Sequence, residues 1–327
     1  MNSYSKTITN NSILDKVLII FPVWFPLIYI LILNNYPSIS QLIFISSIFL
    51  FAETHFASTW LFFFDKDNHN WIKNNSYNYF YLPVYIISLI IIVWFFNSSL
   101  IILFHYLASG WHVTKQSIGI LKLYKVHNKL NSFLIYSISF GCLTFGLGNP
   151  GIIAKNFSSS EVNIFLLFFG IIYLLTLAIN LFGKNQQIIN NLLPVITGLL
   201  IYLPILFFEN LALATVIGVG MHWIQYIAIM WSITLRKEKF NLIKIKNKFI
   251  FKKISRKILF IFMYSLIMTI FAVKGINGLS GQKVEYSIFY LIPIIFQFYH
   301  FYIDGFIWKF SEKHIRESVA SYIYSSK

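Results

Sequence analysis

Long apolar runs separated by short polar breaks dominate the chain. Each run is long enough for a helix that crosses the roughly 30 Å hydrocarbon core of a bilayer. The breaks are turn-like or charged, as in Gly148-Asn149-Pro150-Gly151. The pattern predicts an all-α, polytopic transmembrane helix bundle, with residues 1–327 as a single integral membrane domain. We predict ten spans, at residues 17–33, 40–64, 79–96, 98–118, 131–148, 162–182, 192–208, 210–235, 256–273 and 286–308.

Composition agrees with lipid as the solvent. Hydrophobic residues make up 57% of the 327 residues and charged residues only 11%, whereas a soluble domain carries about a quarter charged residues. The mean hydropathy is +0.68. The single cysteine, Cys142, excludes an intrachain disulfide and any Cys-rich metal site.

The basic residues predict the orientation of the spans. With both termini on the cytoplasmic side, 23 of the 26 Lys and Arg fall in cytoplasmic segments, as the positive-inside rule expects. We therefore interpret the net charge of +15 as a topological signal in a cell (inner or plasma) membrane, with no nucleic-acid partner. The basic stretch from Arg236 to Lys257 is expected to form a loop on the anionic inner leaflet.

Five of the eight histidines lie inside predicted spans, and all five are on even-numbered helices. They are His55, His105, His112, His222 and His300. Ionisable side chains inside a bilayer are costly, so they indicate function by default. The first charged residue after each histidine serves as a depth marker. It places His55, His105 and His300 about 14–15 Å below the cytoplasmic boundary, at 1.5 Å per residue.

We predict that these histidines are metal ligands, because neutral imidazole is the commonest protein ligand for transition metals. His55, His105, His222 and His300 are expected to share one centre. His112 lies nearer the inner interface, beside Lys115, and a role as a buried hydrogen-bonding group stays open for it. Asp304 follows His300 by four residues on the same helix face, and we predict it as a catalytic residue that binds metal or holds the His300 ring.

A histidine-rich, carboxylate-poor site in an apolar setting is typical of non-haem iron that acts with O2 on a lipid-soluble substrate. The His-x-x-x-His and His-x-x-His-His boxes of membrane desaturases and hydroxylases are absent. Haem held by paired histidines is an alternative that no spacing singles out. His69, His127 and His314 lie in charged segments, where we expect solvated side chains.

Two short patches resemble the bacterial membrane carotenoid dioxygenases of the Brp/Blh family. They are His55-Phe56-Ala57 with Asp65, and the final-span segment from His300 to Asp304. The resemblance implies iron bound by His55, His105, His222 and His300, and cleavage of a polyene by O2. The chain differs from that family in having no Pro-His-Gly motif near its start, and His105-x6-His112 replaces a tight histidine pair.

A membrane transporter is the alternative function, with the intramembrane histidines as a proton or ion relay. It predicts inverted repeats and broken helices. The sequence has no evident repeat, although Pro194, Pro204 and Pro293 could break their spans. Bound iron would favour the oxidoreductase, and metal-free protein with proton-coupled flux would favour the transporter.

Overall fold

The structure, a computed structural model, describes residues 7–153, 171, 186–245, 250–277 and 285–324, and nearly all of these residues are helical. The helices, in chain order, are α1 Ser12–Ile20, α2 Trp24–Asn35, α3 Pro37–Phe62, α4 Lys66–Asn74, α5 Tyr77–Phe96, α6 Ser98–Leu123, α7 Lys129–Gly148, α8 Gln186–Leu200, α9 Leu211–Ile245, α10 Ile250–Gly275, α11 Leu291–Ile307 and α12 Lys313–Ser318. Two short antiparallel strands follow α10, β1 Ile276–Asn277 and β2 Glu285–Tyr286.

Several helices are long and apolar enough to cross a membrane, so the prediction of an all-helical membrane protein is confirmed. Within the described residues there are five of them, Pro37–Phe62, Tyr77–Phe96, Lys129–Gly148, Leu211–Phe240 and Ile254–Gly275. A sixth is formed if α1 and α2, which meet at an angle of 62°, count as one broken span. The chain therefore has five or six such helices in its described part, fewer than the ten spans that the apolar runs predict.

The difference in number has identifiable sources. The predicted span 162–182 lies outside the described residues, except for residue 171. The predicted span 192–208 corresponds to an apolar helical stretch, Asn191–Leu206, which is short for a crossing. Helix α11 has 17 residues. Helix α6 has 26 residues and is continuous, but polar side chains such as His105, His112 and Lys115 interrupt its apolar sequence.

Helix α9 is the centre of the bundle. Of its most apolar stretch, 78% is buried inside the protein, against 22% for α5, whose side chains face outward. Its residues Val216, Ile217 and Val219 belong to the main apolar core, together with residues of α2, α3 and α10. Burial of most of α9 explains why this helix, rather than a peripheral one, can present polar side chains to the interior.

The two ends of the described chain meet on one face of the bundle. The Arg236 guanidinium on α9 donates hydrogen bonds to the backbone carbonyls of Ile8, Tyr322 and Ile323. Nearby, the buried Asp15 carboxylate accepts hydrogen bonds from the backbone N–H groups of Ile8, at 2.8 Å, and Thr9, at 2.7 Å. The N-terminal and C-terminal segments therefore lie on the same side.

The basic stretch from Arg236 to Lys257 is more regular than expected. Helix α9 continues to Ile245, ten residues past the predicted end of its span, and α10 begins at Ile250. Residues 246–249 lie outside the described part. Two of the basic side chains form ion pairs, Lys237 with Asp65, and Lys257 with Glu238 at 2.7 Å. Much of the predicted loop is thus helical, as the extension of α9 and α10.

Candidate metal centre

Three buried histidines from three helices converge on one point. They are His55 on α3, His112 on α6 and His300 on α11, and one ring nitrogen from each lies within 4.8 Å of the other two. The Nε2 atom of His300 is 2.9 Å from Nε2 of His55 and 3.1 Å from Nε2 of His112. The three rings are 1%, 6% and 2% exposed, respectively. Helices far apart in sequence thus bring three imidazoles together inside the bundle.

Local backbone features shape two of the helices that carry these side chains. Helix α3 is π-helical over Ile48–Glu53, directly before the segment Thr54–Thr59 that carries His55. The Thr54 hydroxyl donates to the Phe49 carbonyl, five residues earlier, at 3.0 Å, which stabilises this wider turn. Short π-helical segments inside α-helices are frequent at functional sites. In α6, Asn97 caps the N-terminus by accepting a hydrogen bond from the Leu100 N–H at 3.1 Å.

The two Nε2–Nε2 distances from His300, 2.9 Å to His55 and 3.1 Å to His112, are close to the spacing that a shared ion requires. Nitrogens about 2.1 Å from one ion, at tetrahedral or octahedral angles, are roughly 3.0–3.4 Å apart. Hydrogen bonds alone do not satisfy this arrangement, because each neutral imidazole nitrogen offers either one proton or one lone pair. A cation instead accepts a lone pair from all three nitrogens. The donor set therefore fits a transition-metal ion, for which neutral imidazole is a preferred ligand.

A fourth imidazole stands beside this triad. The ring of His222, on α9, has its centroid 4.8 Å from that of His55 and 5.5 Å from that of His112. His222 is 1% exposed, and neither of its ring nitrogens has a hydrogen-bond partner among the described residues. Its nitrogens are not within the 4.8 Å set. A modest side-chain rotation would be needed for His222 to serve as a fourth ligand.

Asp304 reaches His300 through a chain of hydrogen bonds. The Oγ1 atom of Thr59 is 2.6 Å from Nδ1 of His300 and 3.0 Å from the Tyr226 hydroxyl. Tyr226 donates to Oδ1 of Asp304 at 2.8 Å, and the Gln116 amide donates to Oδ2. If Nε2 of His300 binds an ion, its Nδ1 carries the proton, and Thr59 is placed to accept that proton in a hydrogen bond.

The carboxylate also lies near the converging nitrogens. Oδ2 of Asp304 is 3.7 Å from Nε2 of His300 and 3.9 Å from Nε2 of His112. Asp304 is not part of the set whose ligand atoms all lie within 4.8 Å of one another. The geometry therefore favours the holding role of Asp304 over direct ligation. Its negative charge also offsets part of the charge of a bound cation.

His105 occupies a different place from the one predicted. Its ring contacts Phe298 and Phe301, with centroids 5.8 and 5.7 Å away, and it does not join the triad. Of the four histidines expected to share one centre, the structure brings His55 and His300 together, with His112 in place of His105. Asp304 is their neighbour, as expected, whereas Thr59 and Gln116 are not anticipated by the sequence. The only sequence signal for Tyr226 is its position four residues after His222.

The remaining histidines lie away from the centre. His69 and His127 are exposed, as expected for solvated side chains. His314 is partly buried instead. It stacks on Trp71, with centroids 4.8 Å apart, and its Nε2 lies 2.9 Å from Oδ1 of Asn68. Burial lowers the pKa of His314 below its ordinary value, and the nearby Lys237 ammonium lowers it further.

A largely apolar cavity adjoins the histidines. His55, His105, His112 and His222 all line it. Most of its other walls are hydrophobic side chains, contributed by α3, α6, α9, α10, β1 and α11: Phe44, Ile48, Ala52, Phe56, Val113, Ala212, Val216, Val219, Trp223, Ala272, Ile276 and Phe301. Phe44 precedes His55 by eleven residues, so the lining residues of α3 are spread over roughly 16 Å of the helix. The apolar lining suits a lipid-soluble molecule.

Comparisons with protein-family models, with curated proteins and with solved structures gave no match. The function of the chain is therefore argued from the geometry of its own residues.

Proposed function

We propose that this chain is an integral membrane oxidoreductase whose histidines hold non-haem iron, which acts with O2 on a lipid-soluble substrate such as a carotenoid or another isoprenoid lipid. The observation that carries the proposal is the convergence of Nε2 of His55, His112 and His300 beside an apolar cavity. His222 is the proposed fourth ligand, because its nitrogens are buried next to the triad and have no partner among the described residues.

The donor set supports this chemistry. Iron bound by imidazole, with coordination positions left open, supplies the activation of O2. The protein's own residues hold the ion, exclude water from it and place an apolar chain beside it. A single ion suits the geometry better than haem. Two axial imidazole nitrogens lie about 4 Å apart, on opposite sides of a haem plane, whereas the Nε2 atoms of His55 and His300 are 2.9 Å apart.

The resemblance to the Brp/Blh carotenoid dioxygenases motivates the choice of a polyene among lipid substrates. Its two patches contain His55 and His300, two of the three converging histidines. The ligand set that the resemblance implies includes His105, whereas the geometry supports His112 in that position. Cleavage of a carotenoid is therefore the narrower form of the proposal, and oxidation of a lipid-soluble substrate is the broader form.

We expect the protein purified in mild detergent, without a histidine tag, to contain about one iron per chain. Plasma mass spectrometry measures iron, zinc, copper and manganese in the same sample. A strong chelator should remove the metal, and ferrous iron with a carotenoid or a related polyene should restore oxygen consumption. Zinc alone at one per chain would contradict the redox proposal, since zinc undergoes no redox change.

The transporter alternative predicts a different result in the same preparation. Metal-free protein that drives proton-coupled flux in liposomes would overturn the oxidoreductase proposal and favour a histidine relay. Metal-bound protein without such flux would exclude the relay. The two outcomes separate the proposals without knowledge of the physiological substrate.

We also propose that the chain has ten spans and lies in the inner or plasma membrane with both termini in the cytoplasm. The distribution of 23 of 26 Lys and Arg supports this orientation. The shared contacts of Arg236 with Ile8 and Ile323 support it further, because they bring both ends of the described chain to one face.

Reporter fusions in a bacterial host test this topology. A fluorescent protein fused to the C-terminus should be bright, and alkaline phosphatase at the same position should be inactive. The opposite pattern is expected for fusions after Asn149, at the end of α7, which the proposed topology places outside. Active phosphatase at the C-terminus would refute the proposed orientation.

A further inference from the structure

The metal-centre cavity contains a second group of polar side chains that the proposed ligands leave unused. Glu53, on α3, and Gln297, on α11, are 2% and 7% exposed and line the same cavity as His55. Gln297 lies within hydrogen-bonding reach of Glu53 and of the His105 ring. We call Glu53, Gln297 and His105 the polar anchor. A carboxyl group in such an apolar wall is costly unless it has a partner.

Distortion of α3 turns Glu53 toward the cavity. In a regular α-helix, residues two positions apart point to nearly opposite faces, so Glu53 and His55 would not share a surface. The π-helical turn Ile48–Glu53 ends immediately before the His55 segment, and both side chains line the cavity. Such turns recur at functional sites because they redirect a side chain at some cost in regularity.

The anchor has hydrogen-bonding capacity to spare. Nε2 of His105 is buried, and it has no partner of good hydrogen-bond geometry among the described residues. The Glu53 carboxyl oxygens lie in a residue almost entirely removed from the surface, and no described cation forms an ion pair with them. The unpartnered His105 nitrogen, beside a carboxyl group that no described cation neutralises, indicates a ligand that completes these hydrogen bonds.

The chemistry of the three side chains selects the ligand group. A carboxyl group mainly accepts hydrogen bonds, an amide both donates and accepts, and a neutral imidazole offers one donor and one acceptor. A hydroxyl group, which also donates and accepts, matches this mixture. An ammonium group, which only donates, would leave the amide and imidazole donors without acceptors on the ligand.

We propose that the polar anchor binds the hydroxyl group of an otherwise apolar substrate, so the substrate is a long-chain or isoprenoid alcohol rather than a hydrocarbon. This inference rests on the proposed function, since it concerns the substrate of the same cavity. The hydroxyl group at Glu53 fixes the position of the chain beside the histidines. The enzyme would therefore oxidise the chain at a set distance from the hydroxyl group.

Paired probes test the anchor directly. Tritiated geranylgeraniol is bound to the purified full-length protein, and unlabelled geranylgeraniol or its methyl ether competes for the site. The ether has the same chain but cannot donate a hydrogen bond. We expect the alcohol to compete roughly tenfold more strongly than the ether, as one hydrogen bond to a buried carboxyl group implies.

Variants of Glu53 assign the preference to the anchor. Glu53→Leu should reduce the alcohol-to-ether ratio to near one, and Glu53→Gln, which keeps an acceptor oxygen, should retain part of it. Glu312→Leu is the matched control, because Glu312 is half-exposed at the end of the chain, paired with Lys309. A wild-type ratio near one, or an unchanged ratio in Glu53→Leu, would overturn the anchor.

Metal content, measured on the same samples, keeps this test separate from the proposed function. Glu53→Leu should retain the wild-type metal content, because the converging nitrogens are those of His55, His112 and His300. A clear alcohol preference in a protein that never binds metal would support the anchor and overturn the oxidoreductase proposal. Normal metal content without any preference for the alcohol would support the oxidoreductase proposal and overturn the anchor.

Discussion

Replacing His300 with alanine is expected to reduce the bound metal from about one ion per chain to near zero and to abolish oxygen consumption. Nε2 of His300 is the nitrogen that lies within about 3 Å of both other ligand candidates, His55 and His112. Its loss leaves two nitrogens on separate helices. Removing a ligand weakens binding by more than the roughly 10–100-fold loss caused by removing an outer hydrogen-bond partner. Element analysis after dialysis measures the effect.

His69→Ala is the matched control, because His69 is exposed on α4. It should keep both metal and activity. Circular dichroism and size-exclusion profiles should show that His300→Ala remains folded, and His300→Gln provides a polar replacement if the alanine variant aggregates. Full metal content in a folded His300→Ala protein would exclude the centre.

A series across the other histidines separates the two possible ligand sets. His55→Ala and His112→Ala should lose the metal as His300→Ala does, and His105→Ala should keep it, since the His105 ring lies among Phe298 and Phe301. His222→Ala distinguishes three ligands from four: a loss of metal identifies His222 as a ligand. Metal loss in His105→Ala with retention in His112→Ala would instead favour the set implied by the family resemblance.

The helices could be predicted because apolar runs of this length leave few alternatives. Predicted and observed bounds agree within a few residues for α5, α6 and α7, where Asn97 and Asn128 accept capping hydrogen bonds at the breaks. The ends near charged residues were harder to predict. Asp65, in the charged break after the second predicted span, caps helix α4 and pairs with Lys237, because a charged break can itself begin a helix.

The expectation that His112 lies apart from His55 and His300 is wrong for a physical reason. The prediction takes Lys115 as the inner end of the span that contains His112, but α6 continues for eight residues beyond it, to Leu123. The exposed Lys115 ammonium lies 5.9 Å from the centroid of the exposed Trp111 ring, one turn earlier, so a lysine on the outer face of the helix need not mark its end. Lys122, ten residues after His112, is the better marker. It matches the spacing of His55 from Asp65 and of His300 from Lys309.

Other parts of the site have little or no signal in the sequence. Thr59, Tyr226 and Gln116 surround Asp304 only because α3, α9 and α6 pack against α11. Single polar residues of this kind are common in membrane helices, where they also join neighbouring helices. The position of the Glu53 side chain in the cavity depends on the π-helical turn, which the hydrophobic periodicity of the sequence does not predict. The ligand types were therefore predictable, and their partners depended on helix packing.

Thr59→Val is expected to weaken metal binding by roughly 10–100-fold, the usual effect of removing the hydrogen-bond partner of a ligand. Valine keeps the shape of threonine but leaves Nδ1 of His300 without the Oγ1 atom that lies 2.6 Å away. It also breaks the connection from His300 toward Asp304 and Tyr226. Competition with a chelator of known affinity measures the change.

The matched control is Thr144→Val, because Thr144 is exposed on α7 and its hydroxyl bonds only to backbone carbonyls of its own helix among the described residues. Thr59→Ser restores the hydroxyl and should recover most of the affinity. A structural role alone would lower thermal stability without changing the metal dissociation constant or the spectrum of a cobalt-substituted centre. Thr59 contacts His300 and not the ion site itself. An altered cobalt spectrum in Thr59→Val that Thr59→Ser reverses would therefore identify Thr59 as a positioning residue. Wild-type metal affinity in Thr59→Val would show that the hydrogen-bond chain from His300 to Asp304 plays no part in holding the metal.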